Sequence, residues 1–139
     1  MKYVALMLMA ICVNTMAGNL EDIAATIWDE ARGETFEGRQ MVASVIWNRG
    51  GGTADGMVAA IKKPKQFSGW NGGQRPEVRI ANKTDEAVWK ECMAFAKAML
   101  GGTFRPVTAA THYHNDKVKP SWRLNLRFVK KVGRHLFYV

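Results

Sequence analysis

Residues 20–49 read LEDIAATIWDEARGETFEGRQMVASVIWNR, and this stretch decides the fold class. Leu20, Ile23, Ala24, Ile27 and Ala31 recur at helical spacing behind Asn19, a residue suited to a helix start, and the pattern stops at Gly33. This predicts a first helix over 20–32. Thr35 can cap a second helix, whose apolar residues Phe36, Met41, Val42, Val45 and Ile46 return on one side until Arg49 and the Gly50–Gly52 run. Two amphipathic helices in tandem require a shared core.

The spacing continues outward from there. A short third helix is predicted from about Ala54 to Ile61. Some twenty residues containing Lys62, Lys63, Pro64, Lys65, Gly69, Gly72, Gly73 and Pro76 then read as a long loop, of the kind that carries function in small domains. Thr84 opens a fourth helix through Val88, Trp89, Cys92, Phe95, Ala96 and Met99, closed by Gly101 and Gly102. After Pro106 the period shortens. Thr111–His114, Arg127–Val132 and His135–Val139 alternate as strands, with Gly133 at the first central position of a two-residue hairpin turn. The expected class is α+β: a mostly helical single domain with a small C-terminal antiparallel sheet.

The chain has 139 residues and a net charge of +8 from twenty Lys and Arg against twelve Asp and Glu. That length excludes two-domain enzymes and doubly wound folds. The positive balance suits an anionic partner: nucleic acid, acidic lipid or wall polymer. The charge is divided along the chain. Six of the twelve acids fall between Glu21 and Glu37, and eight bases accompany one acid, Asp116, from Arg105 onward, so an acidic helix is expected to meet a basic wall. Residues 1–17, MKYVALMLMAICVNTMA, read as an export signal, with one lysine, an apolar run from Val4 to Val13 and a small-residue step at Thr15 and Ala17. A buried N-terminal helix and a membrane tether are the alternatives. Ile11 before Cys12 disfavours a lipid anchor. Cleavage after Ala17 leaves residues 18–139 with Cys92 as their single cysteine, and hence no intrachain disulfide.

Glu30 is the most informative side chain. It lies three residues after Ile27 and seven after Ile23, at the edge of the apolar stripe, where a carboxyl is partly withdrawn from water. Burial and the like charges of Asp29 and Glu34 would raise its pKa, leaving a proton to donate to a leaving glycosidic oxygen. The alternative is a structural acid paired with Arg32. His112 and His114 alternate by two and share a strand face, with His135 as a possible third ligand, which keeps a zinc amidase or peptidase open. No HExxH and no paired cysteines accompany them. The basic tail from Arg123 to Arg134, with Leu126 and Phe128 interleaved, could instead grip nucleic acid or wall polymer without catalysis.

The segments IWDEARGETFEGRQMVASVIWNR, KQFSGW, THYHN with PSW, and VGRHLFYV, in this order and at these spacings, resemble the catalytic domain of spore-cortex-lytic, SleB-like cell wall hydrolases over about residues 20–139. The resemblance implies a lysozyme-like domain of lytic-transglycosylase type acting on peptidoglycan between N-acetylmuramic acid and N-acetylglucosamine, with Glu30 as catalytic acid and base. With the N-terminal signal, an exported monomer is expected, in the periplasm or the wall, that touches membrane only transiently through its N-terminus. No cofactor, metal or nucleic acid is expected. Gln66 and Phe67, in the family's QFS, and Trp70 beside them are expected to contact substrate. Tyr113 and Asn115, two apart on one strand face, can offer a hydroxyl and an amide to the sugar. Trp122 is either a cleft wall or a core plug, whereas Trp28, Trp47 and Trp89 read as core. Glu34 and Asp116 are the candidates for a second carboxylate, which a hydrolytic mechanism would use. Asp29 departs from the family pattern, in which an uncharged residue often precedes the catalytic acid.

Overall fold

A polar side chain at a helix start replaces the missing intrahelical acceptor, and two helices of this chain use that device, the first of them as the sequence predicts. The Thr35 hydroxyl accepts the Gly38 N–H at 3.2 Å to open α2 (Phe36–Arg49), and Thr53 does the same for Gly56 to open α3 (Ala54–Lys62). The computed structural model describes residues 2–139, with side chains from Met16 onward. The helix α1 runs Lys2–Ala31, and α4 runs Lys83–Gly101.

Two boundaries differ from the sequence reading. Asn19 lies inside α1 instead of capping it, because no proline precedes it and Gly18 alone costs only about 1 kcal/mol in a helix interior. Asn82, not Thr84, caps α4, its side chain accepting the Asp85 N–H at 2.8 Å. The expected export signal, residues 1–17, falls almost wholly on side chains outside those described. Gly102 ends α4 in the left-handed conformation at φ 78.

The apolar stripes meet in one core. Ile23, Ile27 and Trp28 of α1 pack with Val42, Val45 and Ile46 of α2, Met57 and Ile61 of α3, and Cys92, Ala96 and Met99 of α4. Trp28 is buried and meets Trp89 edge-on, with ring centroids 6.1 Å apart, whereas Trp47 and Trp89 are half-buried against the cluster. The strands β1 (His112–Asn115), β2 (Phe128–Val132) and β3 (His135–Tyr138) form an antiparallel sheet in the order β1-β3-β2. Tyr113 stands opposite Phe137, and Asn115 opposite His135.

Polar residues fix the sheet to the helices. At the end of α2, the Asn48 amide donates to the carbonyls of Thr108 and Ala110, both at 2.9 Å, and Arg49 Nε donates to that of Thr111 at 2.6 Å. The segment leading into β1 is thereby held to α2. Gly133 turns the β2–β3 hairpin at φ 56, a conformation that favours glycine, and a Cβ there would displace the Glu34 carboxylate, whose Oε2 would lie 2.0 Å away. Glu34 Oε1 accepts the neighbouring Arg134 N–H at 3.3 Å.

The buried Arg39 joins three segments. Its Nε and Nη2 reach Glu91 Oε2 on α4 at 2.8 and 2.7 Å, and its Nη1 donates to the carbonyl of Glu34 in the α1–α2 turn. Arg39→Met strands that carboxylate and that carbonyl. It is expected to destabilise the fold by about 2–4 kcal/mol, read from denaturant unfolding with an unchanged m-value.

Candidate active site

The last turn of α1 carries Glu30 one helical step beyond the buried Ile27, which leaves its carboxyl half-covered. A carboxyl in such a place needs a partner. Tyr113 provides one: its hydroxyl donates to Glu30 Oε2 at 2.6 Å. The phenol ring is itself fixed against His135 and Phe137, with centroids 4.9 and 5.4 Å away. Burial, then the adjacent Glu30 charge, raises the Tyr113 pKa well above the ordinary phenol value, so Tyr113 stays a donor.

Burial is the largest influence on Glu30 and raises its pKa. The Tyr113 hydrogen bond opposes it, Asp29 raises the value further, and Arg49 lowers it; the balance stays above the ordinary carboxyl value. The raising neighbour is Asp29 and not Glu34, whose carboxylate is turned to the hairpin at Arg134. Nor does Arg32 pair with Glu30: its guanidinium lies over the Trp28 ring at 5.9 Å, and among the described residues Glu30 makes no ion pair. Arg49, with its guanidinium 5.4 Å from the centre of the Phe67 ring, is the cation that acts on Glu30. Burial lowers its own pKa, and Tyr113 and Glu30 oppose that effect.

Glu30, Arg49, Gln66, Ser68, Tyr113 and Asn115 surround a cleft of about 370 Å³. A further depression of about 250 Å³ shares Glu30, Asn115 and His135 with it, and one of about 630 Å³ shares Arg49 and Gln66. Glu30 therefore lies partway along a groove open on both sides, a shape suited to a polymer.

The expected site residues divide. Gln66, Tyr113 and Asn115 join Glu30 in the cleft. The Asn115 carbonyl oxygen Oδ1 accepts the Lys117 N–H at 2.9 Å, leaving the amide nitrogen to offer to a ligand. Phe67 is a correction: it is only 1% exposed, a core residue beneath Arg49 with no surface for substrate. Trp70 is half-buried, its indole N–H donates to Thr26 Oγ1 at 2.9 Å, and it borders an adjoining depression that also contains Lys63 and Lys65. Trp122 is a plug on the sheet, packed at 5.1 Å from His112, 5.7 Å from His114 and 5.5 Å from Tyr138.

His112 and His114 do share a face, and both rings pack on Trp122 there while His112 also borders the α3 groove and His114 the Glu30 cleft. Nδ1 of His112 meets the Thr111 hydroxyl at 2.9 Å, and Nε2 of His114 meets the Tyr138 hydroxyl at 2.8 Å. Among the described residues no three His, Cys, Asp or Glu side chains are grouped to hold a metal ion. Arg49 and Ser68 are cleft residues that the sequence reading did not single out. The polar pair Asn48–Arg49 at the end of an apolar helix face was the available signal for the first.

Because the folded state holds the Glu30 proton more tightly than the unfolded chain does, stability falls as pH rises from the ordinary carboxyl value through the raised one. Tyr113→Phe removes the one hydrogen bond that favours the carboxylate. It is expected to move the Glu30 pKa further upward and to extend that window of falling stability to higher pH. Carboxyl ¹³C titration of the variant against the parent checks this; an unchanged or lowered value contradicts it.

Comparison with known proteins identifies the family and the fold. Residues 33–138 match the family model described as Cell Wall Hydrolase, a match that begins three residues after Glu30. The chain is 30% identical over 122 residues to a spore cortex-lytic enzyme of Halalkalibacterium halodurans, covering 86% of this chain and 34% of that protein. It thus spans about a third of that relative's length. Its fold is similar to the catalytic domain of the germination-specific lytic transglycosylase SleB from Bacillus anthracis, with a TM-score of 0.60 and 24% identity over 87% of this chain and 93% of that one. The catalytic domain of the Bacillus cereus SleB protein gives a TM-score of 0.59 at 24% identity, over 87% and 89% of the two chains. With most of its length matched by the family model and its fold shared with these domains, the chain belongs to the cell wall hydrolase family.

Proposed function

We propose that this protein cleaves the glycan strand of peptidoglycan between N-acetylmuramic acid and N-acetylglucosamine, with Glu30 as the single acid and base. The observation that carries the reading is the half-buried Glu30 carboxyl, held by Tyr113 at 2.6 Å midway along an open groove. Protonated Glu30 gives its proton to the bridging oxygen as the bond to the muramyl C1 breaks. The carboxylate left behind is favoured by the Tyr113 hydroxyl and the Arg49 charge. It then takes the proton of the muramyl 6-hydroxyl as that oxygen closes on C1, giving a 1,6-anhydro end without consuming water.

The positions of the other acids favour this route over hydrolysis. Asp116 is paired with Lys131 at 3.1 Å, and Glu34 accepts the Arg134 N–H. Asp29 borders the cleft on the same helix as Glu30 and beside Gly69, so it stands on the same wall as the acid and not on the facing sheet. Residues 1–17 act in this reading as an export signal that delivers a monomeric domain, residues 18–139, to the periplasm or wall.

Mass analysis of digested sacculi tests the proposal. Anhydromuramyl ends are expected, in amounts insensitive to EDTA and declining as pH rises through the raised Glu30 value. Reducing ends would replace the transglycosylase step by hydrolysis. Freed stem peptides, lost in EDTA and restored by zinc, would overturn glycan cleavage altogether.

A further inference from the structure

The groove of about 630 Å³ beside the Glu30 cleft differs in charge from the depression on the other side. It runs along α3, with Gly56, Ala59 and Ala60 as an apolar floor and Arg49, Lys63 and His112 around it, and no carboxylate lines it. The other depression contains Asp29, Glu30 and Glu34 beside Arg32 and Arg134, so its cations sit among carboxylates. Only one flank of the cleft therefore attracts anions without local opposition.

Lys62 and Lys63 line that groove, and Lys65 lines the Glu30 cleft next to it and, with Lys63, an adjoining depression of about 490 Å³. The Lys62 ammonium is 2.9 Å from Asp22 and so is already paired. Lys63 and Lys65 are exposed and, among the described residues, make no ion pair. Lys63 leaves the helix at φ −60, ψ 129, as a residue before proline must, and Pro64 then carries the chain to Lys65 at φ 64. Lys65 is the one described non-glycine residue with positive φ, a conformation that costs about 1–2 kcal/mol, and it borders the Glu30 cleft.

The N-acetylated sugars of the proposed substrate carry no charge. The muramyl residue, however, bears a lactyl-linked peptide rich in carboxylates. From the apolar floor, the two unpaired ammonium groups and the shared walls at Arg49 and Gln66, we infer that the groove along α3 is a subsite for this acidic peptide. Strands bearing it are then selected by Lys63 and Lys65. The inference rests on the glycan-cleavage reading.

Its test is a binding measurement on the full chain with N-acetylmuramyl-L-Ala-D-Glu, a monosaccharide the enzyme cannot cleave, against the same compound with both carboxylates amidated. At low salt the acidic form is expected to bind about tenfold more tightly, as two exposed ion pairs allow, and added salt should erode the difference. In Lys63→Gln/Lys65→Gln the ratio is expected to fall to about one, while an unchanged Tm shows the fold retained. Equal binding of the two compounds, or a ratio untouched in the double variant, would overturn the subsite. Anhydromuramyl products alongside equal binding would leave the cleavage reading standing, whereas charge-selective binding alongside freed stem peptides would leave the subsite and remove that reading.

Discussion

The hydroxyl of Tyr113 and the carboxyl of Glu30 meet across the boundary between the helices and the sheet, and that contact requires both layers to hold their places. An oxygen-to-oxygen distance of 2.6 Å tolerates little sliding of β1 against α1. The polar ties around it have a common effect. Asn48 and Arg49 secure the entry to β1, Glu34 receives the hairpin N–H of Arg134, and Arg39 binds the α1–α2 turn to α4. The catalytic reading thus depends on contacts that involve no substrate.

Electrostatics is divided between holding the fold and facing the ligand. The acids at the start of the core-forming part of α1 are taken by the end of α3 and the long loop, Asp22 by Lys62 and Arg75, and Glu21 by Arg75. Glu37, farther along, pairs with Lys130 of β2 at 2.6 Å. Among the described residues, the expected meeting of an acidic helix with a basic C-terminal wall is met by one ion pair, Glu37–Lys130, and by Glu34 at the Arg134 backbone N–H. Beside the cleft, Lys63 and Lys65 have no ion-pair partner among the described residues.

Helical periodicity made much of this legible. The spacing of Ile23, Ile27 and Glu30 placed the carboxyl at the edge of a buried stripe, and the alternation of Tyr113 and Asn115 placed both on one strand face; both expectations match the structure. The loop from 63 to 82 has no period. Nothing in KQFSGW distinguishes a ring that fills the core, as Phe67 does, from one that meets a ligand, and the Trp70 bond to Thr26 joins residues 44 positions apart. Arg49 was hidden for a related reason. Its partners at Thr111, Tyr113 and Glu30 lie on other elements, so its importance exists only after the chain has folded.

Replacement of a half-buried carboxyl by an amide of the same shape isolates the proton from the packing, which makes Glu30→Gln the most direct measurement. With circular dichroism and Tm showing the fold retained, strand scission in purified sacculi is expected to fall by about 10²–10⁴-fold, the contribution of a positioned general acid. Scission at the parent rate in a folded Glu30→Gln protein would contradict the account.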